Sequence, residues 1–149
     1  MNNLAEECCI YGNLNQLINI QNNNGYIDEW SLLRCSAWGH LECYKYLISQ
    51  GYQSDRFTIA IMWNFAFTYY STKQDDKNIN DRIPLICLDD KDWWLNHLIS
   101  FNYDIIPIKL IRWIKLCINN NEVSDITLIK KINKWLNTIP KYIMEIVDK

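Results

Sequence analysis

The stretch WSLLRCSAWGHLECYKYLISQGY, residues 30–52, decides the fold. Its apolar side chains recur every three to four residues, as on a helix with one buried face. Leu32, Leu33 and Cys35 form a short stripe before Gly39-His40, and Leu41, Tyr44, Leu47 and Ile48 form a second stripe after it. Gly39 stops the first helix, because a residue without a Cβ enters the left-handed region cheaply, and Gly51 stops the second. Two helices of about ten residues, separated by about two, fold back on each other as an antiparallel pair.

Residues 4–21 repeat this frame, with Cys8, Cys9, Gly12-Asn13-Leu14, Leu17 and Ile18 in matching places. Glu6 and Glu7 fall in the first turn, where carboxylates suit the helix dipole. Residues 57–70 are apolar nearly all round, which predicts an innermost helix. Residues 71–80 are polar, lack periodicity and read as a loop. Residues 83–88 read as a short strand or as apolar packing of an insertion. Asp90 or Asp92 then caps a helix, and WLNHLISFNY, residues 94–103, echoes CYKYLISQGY, residues 43–52. In that echo Asn102 takes the place, and the left-handed conformation, of the helix-ending glycine. Pro107 opens a helix with Ile108, Ile111, Trp113, Ile114 and Cys117 inward. Ser124 or Asp125 caps the next, with Ile126, Ile129, Ile132, Trp135 and Leu136 inward. Pro140 ends it, and residues 141–147 form a closing helix.

The central stretch resembles an ankyrin repeat. Residues 30–36 stand in the family's Thr-Pro-Leu-His-x-Ala-Ala frame, and Gly39-His40 in its Gly-His turn. Leu41, Glu42, Cys43, Tyr44, Leu47, Ile48 and Gly51 stand in its second helix. Trp30-Ser31 replaces Thr-Pro, and Leu33 replaces the His that tethers neighbouring repeats. The resemblance implies an all-α, ankyrin-like stack of about four helix pairs forming one domain. Degenerate repeats would span about 1–24, 25–55, 56–104 and 105–138, with a C-terminal helix over 139–149 and an insertion in the third repeat. The resemblance also implies a non-catalytic scaffold that binds another protein. Its binding positions are the inter-repeat turns and the inner face of the first helices, here Tyr26, Ile27, Glu29, Ala37 and Trp38. Trp93 aligns with Glu42, an exposed position in that frame, and stands as a second anchor beside the insertion.

Half of the 149 residues are apolar, enough for a real core in one domain. Four Gly and three Pro leave little material for hairpin turns and favour helices. No apolar run is long enough to span a membrane, and residues 1–10 lack the pattern of a signal peptide. Six Cys without paired metal spacing then point to reduced thiols and a cytoplasmic protein. The abundance of Asn, Ile, Lys and Tyr fits an AT-rich genome, such as that of a large DNA virus or an amoeba. In the viral setting the partner is a host regulatory or defence protein, met in the host cytoplasm. Residues 1–104 carry seven basic and thirteen acidic groups, and residues 105–149 carry eight and four. That asymmetry allows weak, salt-sensitive self-association at most.

Each group of residues that could carry chemistry also has a plainer structural role. Cys35, His40 and Cys43 lie close in sequence, but the frame makes the cysteines core and the histidine a turn residue. His97 has no acidic partner at a recognisable spacing, and Asp75, Asp76, Asp89, Asp90 and Asp92 read as solvated or capping carboxylates. Nothing calls for a metal, a cofactor or an enzyme, and no Gly-rich phosphate loop is present. The alternative function is nucleic-acid or anionic-surface binding through Lys109, Arg112, Lys115, Lys130, Lys131 and Lys134.

Overall fold

Left-handed residues cut this chain into helices. The computed structural model describes residues 4–54, 59 and 90–149, and among them five residues have positive φ outside any helix: Gly12, Asn24, Gly39, Gly51 and Asn121. They follow α1 (Leu4–Tyr11), α2 (Leu14–Asn22), α3 (Ser31–Ala37), α4 (Leu41–Ser49) and α6 (Ile108–Asn119). After each, the next residue donates its N–H to the carbonyl five positions back. Asn13 bonds Cys8 at 2.9 Å, Gly25 bonds Ile20 at 2.8 Å, and His40 bonds Cys35 at 2.9 Å. Tyr52 bonds Leu47 at 3.1 Å, and Glu122 bonds Cys117 at 2.9 Å. This pattern satisfies carbonyls that a helix end otherwise leaves open. The remaining helices are α5 (Lys91–Leu98), α7 (Ile126–Leu136) and α8 (Lys141–Val147), with a 3-10 turn at Tyr103–Ile105.

The described residues are all-helical and contain no strand. Helix α1 packs against α2 and α3, α3 against α4, and α2 against α4. First helices thus stack on first helices, and second on second. Further along, α5 packs on α7, α7 on α6, and α8 on α6. This two-layer arrangement is compatible with an ankyrin-like stack. Ile59 is helical and fully buried. The rest of the expected innermost helix, the 71–80 loop, the 83–88 segment and Asp75, Asp76 and Asp89 lie outside the described residues. No helix among the described residues is long and apolar enough to cross a membrane.

The caps resolve the alternatives left open by sequence. Asp90 caps α5, accepting from Trp93 N–H at 3.2 Å. Asp125 caps α7, accepting from Thr127 and Leu128 N–H at 2.9 and 3.3 Å. Two expectations fail. Asn102 is extended (φ −65°, ψ 143°) rather than left-handed. The chain there is held instead by the Phe101 carbonyl, which accepts from Trp135 Nε1 at 2.7 Å. Ile126 is 67% exposed rather than inward. It is the first residue of α7, and the stripe that faces the core is Leu128, Ile132 and Trp135.

Polar ties lock the first two pairs together. His40 Nε2 donates to the Ile10 carbonyl at 2.8 Å. Arg34 Nη1 donates to both Asp28 oxygens, at 2.7 and 2.8 Å, and Arg34 Nε stands 3.7 Å from Glu6 of α1. Asp28 also accepts from Trp30 N–H at 3.0 Å, at the start of α3. Burial alone would raise the Asp28 carboxyl, but the Arg34 guanidinium outweighs it and holds the carboxyl below its usual value.

The two glycine turns differ in what surrounds them. A Cβ on Gly39 would meet nothing within 4 Å, whereas one on Gly12 would lie 2.5 Å from His40 Nδ1. Gly39→Ala therefore carries only the left-handed penalty, on the order of 1 kcal/mol. Gly12→Ala also displaces the His40 ring from Ile10 and should cost more, about 2–3 kcal/mol. Urea unfolding of the two variants measures the difference; equal losses would mean that the His40 contact is not made.

Candidate docking groove

The turns of the first two pairs bring small residues to one edge, and a groove of about 390 Å³ runs along it. Gly12, Gly39, His40, Glu42, Lys45 and Asp90 line it. Tyr11 and Trp38 immediately precede the two glycines, at equivalent places 27 residues apart. Tyr11 is 78% exposed and Trp38 58%. Within the groove Lys45 Nζ stands 2.9 Å from Asp90 and 3.9 Å from Glu42. The lysine lowers the Asp90 carboxyl, against a smaller opposing effect of burial.

The expected binding residues divide. Tyr26 is 77% exposed, Glu29 is exposed and Ala37 is half-buried. Ile27 contradicts the expectation. At 8% exposure it belongs to the core cluster and is closed to a partner. Trp93 is also no free anchor. It is half-buried against the core, its ring stacks on His97 at 4.9 Å, and Lys45 Nζ lies 5.3 Å from its centroid. Tyr11 was not anticipated, although its place one residue before a glycine turn, like that of Trp38, was a readable signal.

Trp93 belongs to an aromatic joint between α4 and α5. Tyr44 meets Trp94 at 4.9 Å and Trp93 edge-on at 5.9 Å, and Phe101 meets the His97 ring edge-on at 5.1 Å. The Tyr44 hydroxyl shares a hydrogen bond with His97 Nε2 at 3.0 Å and another with Ser54 Oγ. Burial lowers the His97 pKa to about 4, so its imidazole is neutral near neutral pH.

Of the six basic residues of the alternative function, Arg112 and Lys115 line one groove with Val147 and Asp148, and Lys131 lines another. Arg112 Nε donates to the Val147 carbonyl at 2.9 Å, and Lys115 pairs with Asp148, so both are committed to the end of α8. Lys131 lines a separate groove with Asp90, Asp92 and Asp125, an acidic setting that repels a phosphate. Lys130 and Lys134 are exposed on α7, and Lys109 is half-buried on α6.

Cys8, Cys9, Cys35, Cys43 and Cys117 are buried free thiols. Hydrogen bonds to Cys43 and Cys9, then burial, push the Cys35 thiol well above its usual value. Burial pushes Cys117 up to about 11. Neither is a ready nucleophile, because the thiolate is the reactive form. Among the described residues no group of three or more His, Cys, Asp or Glu is placed to hold a metal ion. No protein-family model, curated protein or solved structure matches the chain.

His97 makes stability depend on pH. Above 6.5, its unperturbed value, the imidazole is neutral in both folded and unfolded chains, so stability is flat. Below that the unfolded chain takes a proton that the folded chain refuses until about pH 4. Stability should fall across this window by on the order of 2–3 kcal/mol. Denaturant unfolding across the same window should show the slope in the native chain and lose it in His97→Gln. A native chain equally stable at both ends of the window would place His97 in water.

Proposed function

We propose that this chain is a non-catalytic protein-docking module built on an ankyrin-like stack. One observation carries the reading: Tyr11 and Trp38 stand exposed at equivalent positions beside the glycine turns that line a single groove. Large aromatic side chains held in water at repeated places offer apolar area at little entropic cost, which suits the anchors of an interface. Tyr26, in the connection between the two pairs, adds a third exposed ring. The buried thiols, the neutral His97 and the committed carboxylates Asp28 and Asp90 all have structural roles, which fits a scaffold better than an enzyme. A large DNA virus is one source that the AT-rich composition fits, and in that setting the partner would be a host regulatory or defence protein.

Trp38 and Trp93 should behave oppositely when truncated. Trp38→Ala should weaken capture of the partner from a nuclease-treated lysate by more than about tenfold, at an anchor cost above about 2 kcal/mol. Its melting temperature should stay near that of the native chain, because the ring is mostly in water. Trp93→Ala should instead lose about 2–4 kcal/mol of stability, since it empties the joint with Tyr44 and His97. Quantitative capture and thermal melts of both variants make the comparison. Unchanged capture by Trp38→Ala, or capture that nuclease abolishes in the native chain, would overturn the reading.

A further inference from the structure

The groove beside Trp38 has a polarity as well as a shape. Residues 4–54 carry Glu6, Glu7, Asp28, Glu29 and Glu42 against Arg34 and Lys45 alone. Both of those cations are already engaged, Arg34 by Asp28 at 2.7 Å and Lys45 by Asp90 at 2.9 Å. Glu42 is different. Its side chain is 72% exposed, and the 3.9 Å to Lys45 is longer than the lysine's contact with Asp90. It lines the groove at the first turn of α4, four residues after Trp38. Between the two lies Gly39, above which the space where a Cβ would stand is open.

We infer that this groove takes an arginine side chain from an extended segment of the partner protein, the guanidinium lying over the Trp38 ring and pairing with the Glu42 carboxylate. A planar guanidinium can stack on an indole face and donate in its plane to a carboxylate at once, which a lysine ammonium cannot do. The bare Gly12 and Gly39 turns let the segment's backbone approach closely. The net negative charge of residues 4–54 favours the encounter and disfavours an acidic segment. This inference rests on the protein-docking reading and adds the chemistry of the partner.

Nitrogen-15 NMR of the full chain tests it through the Trp38 indole N–H signal, identified by its loss in Trp38→Phe. The probes are three blocked glycine–serine peptides whose central residue is arginine, citrulline or leucine. Citrulline keeps the shape of arginine and removes the charge. The arginine peptide should move the Trp38 signal saturably at millimolar concentration while the citrulline peptide does not. Glu42→Gln should weaken the arginine peptide about threefold, the size of an exposed ion pair, with the rest of its spectrum unchanged. Equal shifts from arginine and citrulline, no shift from either, or an unchanged affinity in Glu42→Gln would each overturn the inference. A shift from the leucine peptide alone would also overturn it, yet would leave the protein-docking reading standing.

Discussion

A helix that ends in a left-handed residue reverses its chain sharply while still satisfying its last carbonyls, and that constraint shapes this molecule. Gly12, Asn24, Gly39, Gly51 and Asn121 each allow the same backward bond from the following N–H. Because the turns after α1 and α3 are alike, the two first helices lie side by side and the two second helices lie side by side. The turns therefore share an edge, with Tyr11 and Trp38 beside it. The groove is a consequence of how the helices stop, and the exposed Tyr11 and Trp38 each stand one residue before a glycine that lines it.

The joint between α4 and α5 works by different physics. Lys45 and Asp90 form an ion pair at its edge, while Tyr44 and Trp94 supply buried rings and Trp93 and His97 half-buried ones. Tyr44 carries a hydroxyl into a fully buried position, where an unpaired hydroxyl would be costly. His97 and Ser54 supply its partners. The cost is a histidine held neutral and an acid-sensitive joint. These rings pack against one another, whereas Tyr11, Tyr26 and Trp38 of the first two pairs stand exposed.

Much of the fold was legible in residues 30–52, because apolar periodicity and a glycine stop both leave marks in sequence. The stops at Gly39 and Gly51, the caps at Asp90 and Asp125 and the inward Ile132 and Trp135 could be read or narrowed to one neighbour, whereas the sequence pattern put Ile126 in the stripe where the structure puts Leu128. Asn102 misled because its sequence match to Gly51 holds while its environment does not; the Trp135 indole claims the preceding carbonyl. The candidate groove was half legible. Trp38 was visible as an exposed position, but Ile27 was not recognisable as core, since a connection between repeats gives no periodicity. The tie from His40 to the Ile10 carbonyl, 30 residues away, lies beyond any local pattern. The ties of Arg112 to the Val147 carbonyl and of Lys115 to Asp148, and the acidic neighbours of Lys131, are likewise set by tertiary packing.

The two asparagines at left-handed positions give the most direct test of the central constraint. Asn24 (φ 55°) and Asn121 (φ 54°) stand where Gly12, Gly39 and Gly51 stand in the other turns. If left-handed stops define the helix pairs, stability at each position should rank Gly above Asn above Ala. The span should be about 1 kcal/mol, despite the greater freedom that glycine gives the unfolded chain. Equilibrium urea unfolding of Asn24→Gly, Asn24→Ala, Asn121→Gly and Asn121→Ala measures that order. Alanine variants as stable as their glycine counterparts would contradict the account, because a backbone in the ordinary right-handed region would favour alanine.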